Sequence, residues 1–275
     1  MQVISTLDHP RQSAVNAMKA SIPISLWEQN ESFLDAVRRE IKTHPVSTHP
    51  AITKLNAGMF GMETMHKIHL EYRHAIVQVF TDALLIAQHQ SRQLEPRQAP
   101  GSKIYPRFLL TLNVLDEFGF QPGLSADNYY QGNPADAHYP LFERLLDNYG
   151  ISVEERCEYV PSPIAHKVRA FLENSFSDYA MVVALLAVAE EEVILFSPPL
   201  RRNTAALGLS VNDGYYHVHG VSEDKTSNAC DDYHQNDLWC VLAQAVLPAD
   251  YNNIRTACLE YCDLWDQFWS YQDSV

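Results

Sequence analysis

The residues richest in possible chemistry lie between Tyr215 and Leu242, YYHVHGVSEDKTSNACDDYHQNDLWCVL. This stretch holds three of the chain's twelve histidines and five of its acidic side chains. From Asn228 onward it reads as a helix. At 3.6 residues per turn, Asp231 and His234 share the face continued by Leu238, Val241, Leu242 and Ala245, while Asp232 and Asn236 point elsewhere. A charged pair on an apolar stripe is bound for the interior. Burying it costs free energy unless the two groups hydrogen-bond to each other or coordinate a metal. Both outcomes stay open on this stretch alone.

A second acidic-x-x-His pair, Glu71 and His74, lies on the longest helical pattern, Met62 to His89. Such spacing sets a carboxylate and an imidazole about 60° apart on one helix. Met62, Met65, Ile68, Tyr72, Ile76 and Phe80 on one side, with Val77 and Leu84 on another, make this helix apolar nearly all round, as internal helices are. Its polar stripe (Lys67, Glu71, His74, Gln78, Asp82) is either a solvated face or the edge of an internal site. Glu63 and His66 repeat the spacing, but Glu63 falls in the first turn, where a carboxylate serves the helix N-terminus. A third candidate is the triplet Glu190, Glu191 and Glu192, directly after the wholly apolar YAMVVALLAVA (179–189). Acidic groups inside an apolar helix are costly, so at least one should face something positive while the others reach solvent.

The elements that must position these groups are helices. The 275 residues are 46% hydrophobic and 11% aromatic, with only 10 glycines, and no long period-2 alternation appears. Helical patterns run from Trp27 to Ile41, Ala51 to Ala57, Arg107 to Phe118, His138 to Tyr149, Pro163 to Phe176, Asp178 to Phe196 (closed by Pro198 and Pro199) and Tyr251 to Tyr271. Asn113, Asp116 and Glu117 end one of them, and His138 opens another as a surface or capping residue. Residues 119–137 carry turn chemistry and form a long loop suited to an entrance or lid. With no repeat and no domain boundary, the organisation expected is an arm over 1–22 followed by one all-α domain over 23–275.

The net charge of −14 argues against nucleic acid or an anionic membrane as partner. The five cysteines are odd in number and show no CxxC pair, which suits a reduced, cytoplasmic protein. The N-terminus lacks the basic-then-apolar pattern of a signal peptide, and the longest apolar run is about half a membrane span.

In chain order the candidates are Glu71, His74, Glu190, His219, Asp231 and His234, three carboxylates and three imidazoles. That is the donor type with which carboxylate bundles hold iron or manganese. The segments HPAITKLNAGMF (49–60), HLEYRHAIVQVF (69–80), LTLNVLDEFG (110–119), HYPLFERLLDNYGI (138–151), ALLAVAEE (184–191) and YYHVHG (215–220) resemble successive helices of the haem-oxygenase-like fold. The likeness is to the branch shared with TenA and PqqC, in particular its non-haem diiron oxidases and oxygenases. It covers roughly residues 45 to 245 and implies a single-domain, all-α helical bundle.

Carried over, the family's ligands become Glu71 and His74, Glu190, and a His-xxx-Asp-xx-His signature as His219, Asp231 and His234. The signature departs from the pattern: four residues after His219 stands Glu223, then Thr226, and Asp-xx-His follows only at 231–234. His217 therefore competes with His219, Glu223 and Asp224 are possible substitutes, and Glu191 competes with Glu190. The resemblance implies two iron ions, with manganese as the other candidate, activating O2 to oxidise a small organic substrate in the bundle core. The alternatives are a metal-free TenA/PqqC-like enzyme and a non-enzymatic ligand- or metal-binding protein. The partners expected are the small molecule and O2, with homodimerisation left open.

Overall fold

In the computed structural model, residues 10–218 and 230–274 are described, side chains included except at 230–233. The architecture is all-α. The helices are α1 (Pro10–Ala20), α2 (Ile24–Thr43), α3 (Pro50–Asn56), α4 (Met62–Tyr72), α5 (Gln78–Gln90), α6 (Ile104–Glu117), α7 (His138–Asn148), α8 (Val153–Glu158), α9 (Pro163–Glu173), α10 (Tyr179–Ala206), α11 (Tyr215–Val218), α12 (Cys230–Ala245) and α13 (Tyr251–Asp273). A π-helical turn, Arg73–Val77, joins α4 to α5. No described helix is long and apolar enough to cross a membrane.

The centre of the molecule is α10, packed against α3, α5, α12 and α13. Its run from Val182 to Ala189 is buried residue by residue, as an unbroken apolar sequence requires. Each such valine or leucine contributes about 1.5–3 kcal/mol of transfer free energy, so this helix dominates the core. Asp178 caps it, accepting from the Met181 amide at 2.9 Å. The prolines expected to close this helix at 198–199 lie inside it, and the helix runs on to Ala206. Packing outweighs the missing backbone donors there: Pro199, Leu200, Asn203 and Thr204 are all buried. Asn203 also holds Phe60 through both main-chain groups, at 2.9 and 3.1 Å.

Around α10 the aromatic face of α13 supplies Tyr261, Trp265, Phe268 and Trp269, all buried, with Trp269 stacked on Phe196 at 4.0 Å. The α4–π–α5 segment is internal, as its apolar circumference requires: Met65, Ile68, Tyr72, Ile76, Val79, Ala83 and Leu84 are in the core. α1 packs on α6, burying Ala14 and Met18.

The long loop after α6 is more ordered than turn chemistry suggests. Strands β1 (Phe120–Leu124) and β2 (Tyr130–Gly132) pair antiparallel, Phe120 opposite Gly132, in a small hairpin. Gly119 enters it at φ +78°, where a Cβ would lie 2.4 Å from the Asn133 carbonyl oxygen. Only glycine fits there.

Candidate functional site

One turn of helix gathers the site. On α6 the core face runs Leu109, Leu110, Asn113, Val114 and Glu117, so an amide and a carboxylate sit on the buried stripe. Asp116 and Glu117 stand in the last turn, where exposed carbonyls disfavour negative charge and each carboxylate needs a partner. Two of the three links that leave this turn answer that need. Asn113 Nδ2 donates to Glu190 Oε1 of α10 at 3.1 Å. Asp116 Oδ2 lies 2.7 Å from Nε2 of His234 on α12, and Glu117 Oε1 lies 2.9 Å from Nδ1 of His138 on α7. Thr81 adds a 3.4 Å contact to Glu117 Oε2. Glu117, His138, Glu190 and His234 are all buried.

These four side chains line one cavity, closed by Tyr72, Ile76, Val77, Phe80, Tyr139, Val193 and Tyr215. It offers about 30 Å³ to the centres of water-sized atoms, room for roughly two, and about 440 Å³ of empty volume when adjoining open solvent is counted. Among the described residues its lining has two glutamates and two histidines but no lysine or arginine.

Of the residues expected from sequence, Glu190 and His234 line this cavity. Glu71 and His74 do not. The buried Glu71 carboxylate faces the start of α9, where it accepts from the Tyr159 hydroxyl and from Ser162 N and Oγ, the latter at 3.0 and 2.5 Å. It holds down a helix N-terminus, which offers a carboxylate ready-made donors. His74 lies 3.0 Å from His166 Nδ1, at the protein's edge. Burial and the neighbouring His166 hold its pKa down to about 4, so it is neutral. Glu71 and His74 both belong to the polar stripe of this helix, which meets α9, whereas Tyr72, Ile76 and Phe80 on the other side border the cavity. His219 lies outside the described residues, as do Glu223 and Asp224. Asp231 is on α12, with its side chain among those not described. His217 is on α11 and does not line the cavity.

The glutamate triplet resolves three ways. Glu190 faces the cavity. Glu191 accepts from Trp239 Nε1 at 3.3 Å, with Arg38 Nε at 3.6 Å supplying the positive partner. Glu192 is buried under the cavity's Tyr72, accepting from the Tyr72 hydroxyl at 2.8 Å and Trp269 Nε1 at 2.9 Å. Solvent is thus not the destination of the other two. Glu117 and His138 were missed, and His138 is neither a surface nor a capping residue. The signal was present: Asn113 and Glu117 sit on an apolar stripe, the same anomaly that singles out Asp231 and His234.

No protein-family model matches this chain, and no curated protein does. Solved structures do. A TenA homolog from Pseudomonas syringae pv. tomato superposes with a TM-score of 0.64 at 12% identity, over 90% of this chain and 93% of that one. A TenA family transcription regulator from Silicibacter sp. superposes at 0.55 with 15% identity, over 87% and 96%. The fold is the all-α bundle of TenA-like proteins, as the helix resemblances imply; identities this low carry the fold and no activity.

Proposed function

We propose that this chain is a TenA/PqqC-like enzyme whose active site is the cavity at the end of α6. The observation that carries this reading is the convergence of Glu117–His138, Asp116–His234 and Asn113–Glu190 from a single helical turn. Core polar groups with a purely structural task hydrogen-bond in closed clusters, whereas these border a cavity that opens to solvent. The chemistry they offer unaided is proton transfer. Each imidazole is held by a carboxylate that fixes its tautomer and orientation, which places His138 and His234 to take and return a proton. Thiol chemistry does not fit. No described cysteine lines the cavity, and burial raises the pKa of Cys258 and Cys262, the latter to about 12.

A second reading is favoured by the size of this cavity and the type of its donors. Carboxylate and imidazole around room for two water-sized atoms suit a pair of iron or manganese ions. Glu117, His138, Glu190 and His234 would hold them, with Asp231 and His219 as the remaining donors. The carboxylate–imidazole links would orient such ligands. Iron there would supply dioxygen activation. Among the described residues no three donors converge on one point.

Two measurements decide. A small-molecule binding screen should give ligands whose binding is lost in Val193→Phe, which fills the cavity, and is altered in His138→Gln; hits indifferent to both variants would sink the active-site assignment. Elemental analysis after growth with iron separates the readings. Metal that is retained by wild type and lost in Glu117→Gln and His234→Gln selects the dimetal oxidase. Metal-free protein that still binds ligand selects the first.

A further inference from the structure

A second pocket lies on a different face of α12 from the cavity, in the groove between α12 and α2. Trp27, Glu31, Asp35 and Arg38 line it from α2, and Trp239 and Cys240 from α12. The α2 residues recur every three or four positions and so form one stripe of that helix. The groove offers about 140 Å³ to the centres of water-sized atoms, room for roughly ten, against about 30 Å³ in the cavity.

Glu31 and Asp35 are like charges one turn apart, an arrangement that disfavours the helix. Both are exposed, and neither has an ion pair or hydrogen bond among the described residues. Arg38 does not offset them. Its guanidinium carbon lies 5.5 Å from the centre of the Trp239 ring, and its Nε is 3.6 Å from Glu191, a carboxylate outside the groove.

Trp27 adds an independent signal. It is 1% exposed, and its indole Nε1–H is buried with no acceptor among the described residues. A buried donor left unpaired is costly. Trp239, on the facing helix, is in the opposite state, because its Nε1 donates to Glu191 at 3.3 Å. Both rings also attract positive charge: Lys19 Nζ stands 6.0 Å from the Trp27 ring centre, as Arg38 does near Trp239.

We propose that this groove is a second ligand site, which binds a small organic ammonium ion carrying an oxygen acceptor, as an amino alcohol does. The ammonium sits against the carboxylates of Glu31 and Asp35, between the indoles of Trp27 and Trp239. The oxygen accepts the Trp27 N–H. Carboxylate and ring-face attraction act on the same end of the ligand, and neither requires the cation to carry a proton, so a quaternary ammonium suits the site. The two carboxylates repel an anion, and a neutral alcohol forfeits both attractions. The site does not depend on the assignment of the cavity as the active site.

The test is calorimetric titration of the full chain with choline, with tetramethylammonium, and with 3,3-dimethyl-1-butanol, the neutral carbon counterpart of choline. Choline should bind at least about tenfold tighter than the butanol. Glu31→Gln combined with Asp35→Asn should weaken both cations by about tenfold. Trp27→Phe keeps a ring but removes the N–H, so it should weaken choline several-fold and leave tetramethylammonium, which has no oxygen, unchanged. Thermal melts show that each variant is folded, and this split between two ligands is not what a general loss of structure produces. Val193→Phe fills the cavity and should leave choline binding as it was. If choline does not bind, or binds no better than the butanol, the proposal falls. It falls equally if the acidic-residue variant or Trp27→Phe leaves choline untouched. Loss of choline binding in Val193→Phe would put the cation in the cavity and overturn the groove site.

Discussion

Glu192 gives the sharpest prediction about the core. It is buried, with no cation beside it among the described residues, and its two oxygens accept from the Tyr72 phenol and the Trp269 indole. Burial pushes its pKa from 4.5 up to about 8, against the opposing pull of those two donors. The folded chain therefore holds this proton more tightly than the unfolded chain. The associated stability is complete below the unfolded pKa of 4.5, declines as pH rises, and is gone above about 8. The full interval corresponds to about 5 kcal/mol, an upper bound because a real interior relaxes around the charge. Glu192→Gln cannot ionise; its carbonyl keeps the Trp269 bond, while its amide reverses the bond to Tyr72 at a cost of about 1 kcal/mol. Denaturant unfolding at a series of pH values from about 5 to 9 measures the effect. The variant should be near wild type or slightly weaker in acid and overtake it by about 2–4 kcal/mol in base. A wild-type-minus-variant difference that stays flat with pH, or grows in the other direction, would refute the reasoning.

Three further outcomes are expected. Glu71→Ala strips the acceptor from Tyr159 and Ser162, so denaturant unfolding should show a loss of about 3 kcal/mol while calorimetric ligand binding at the cavity is unchanged. Gly119→Ala forces a Cβ into the backbone at 133–137 from a left-handed conformation; its melting temperature should fall by several degrees, and an unchanged value would mean the hairpin base is loose. If the cavity holds metal, its retention on dialysis should drop as the solution is acidified, because protons compete with the metal for the imidazole nitrogens; retention indifferent to pH would place the metal elsewhere.

The fold was legible because its signals are long. An apolar run such as 179–189 must be buried, and a helix apolar on most sides must be internal, whatever the neighbours are. The site was half legible. Glu190 follows a run whose burial drags it inward, and His234 sits on an apolar stripe, so both could be placed at the cavity. Glu71 was misassigned because burial does not say which neighbour receives the carboxylate; here it is the start of α9. His74 is on the polar stripe of its helix, and spacing alone could not say that this stripe meets α9 at His166 rather than the cavity. Glu117 and His138 are distant in sequence, with a hairpin between them. No helical periodicity joins two helices, and only the folded chain brings them within a hydrogen bond.

That hairpin leaves and returns through a closed neck. Glu117 and His138 meet at 2.9 Å, and Gly119 packs on the backbone of Asn133 and Ala137 just above. The ends of the excursion are held together from below, independently of what lies between them. Lengthening a loop whose ends are already pinned costs about 0.6 kcal/mol per doubling, so the segment can grow, shrink or change its residues with little strain on the floor beneath. It is the natural place to insert a reporter peptide. In descendants of this chain, the hairpin can be rebuilt while Glu117 and His138 stay where they are.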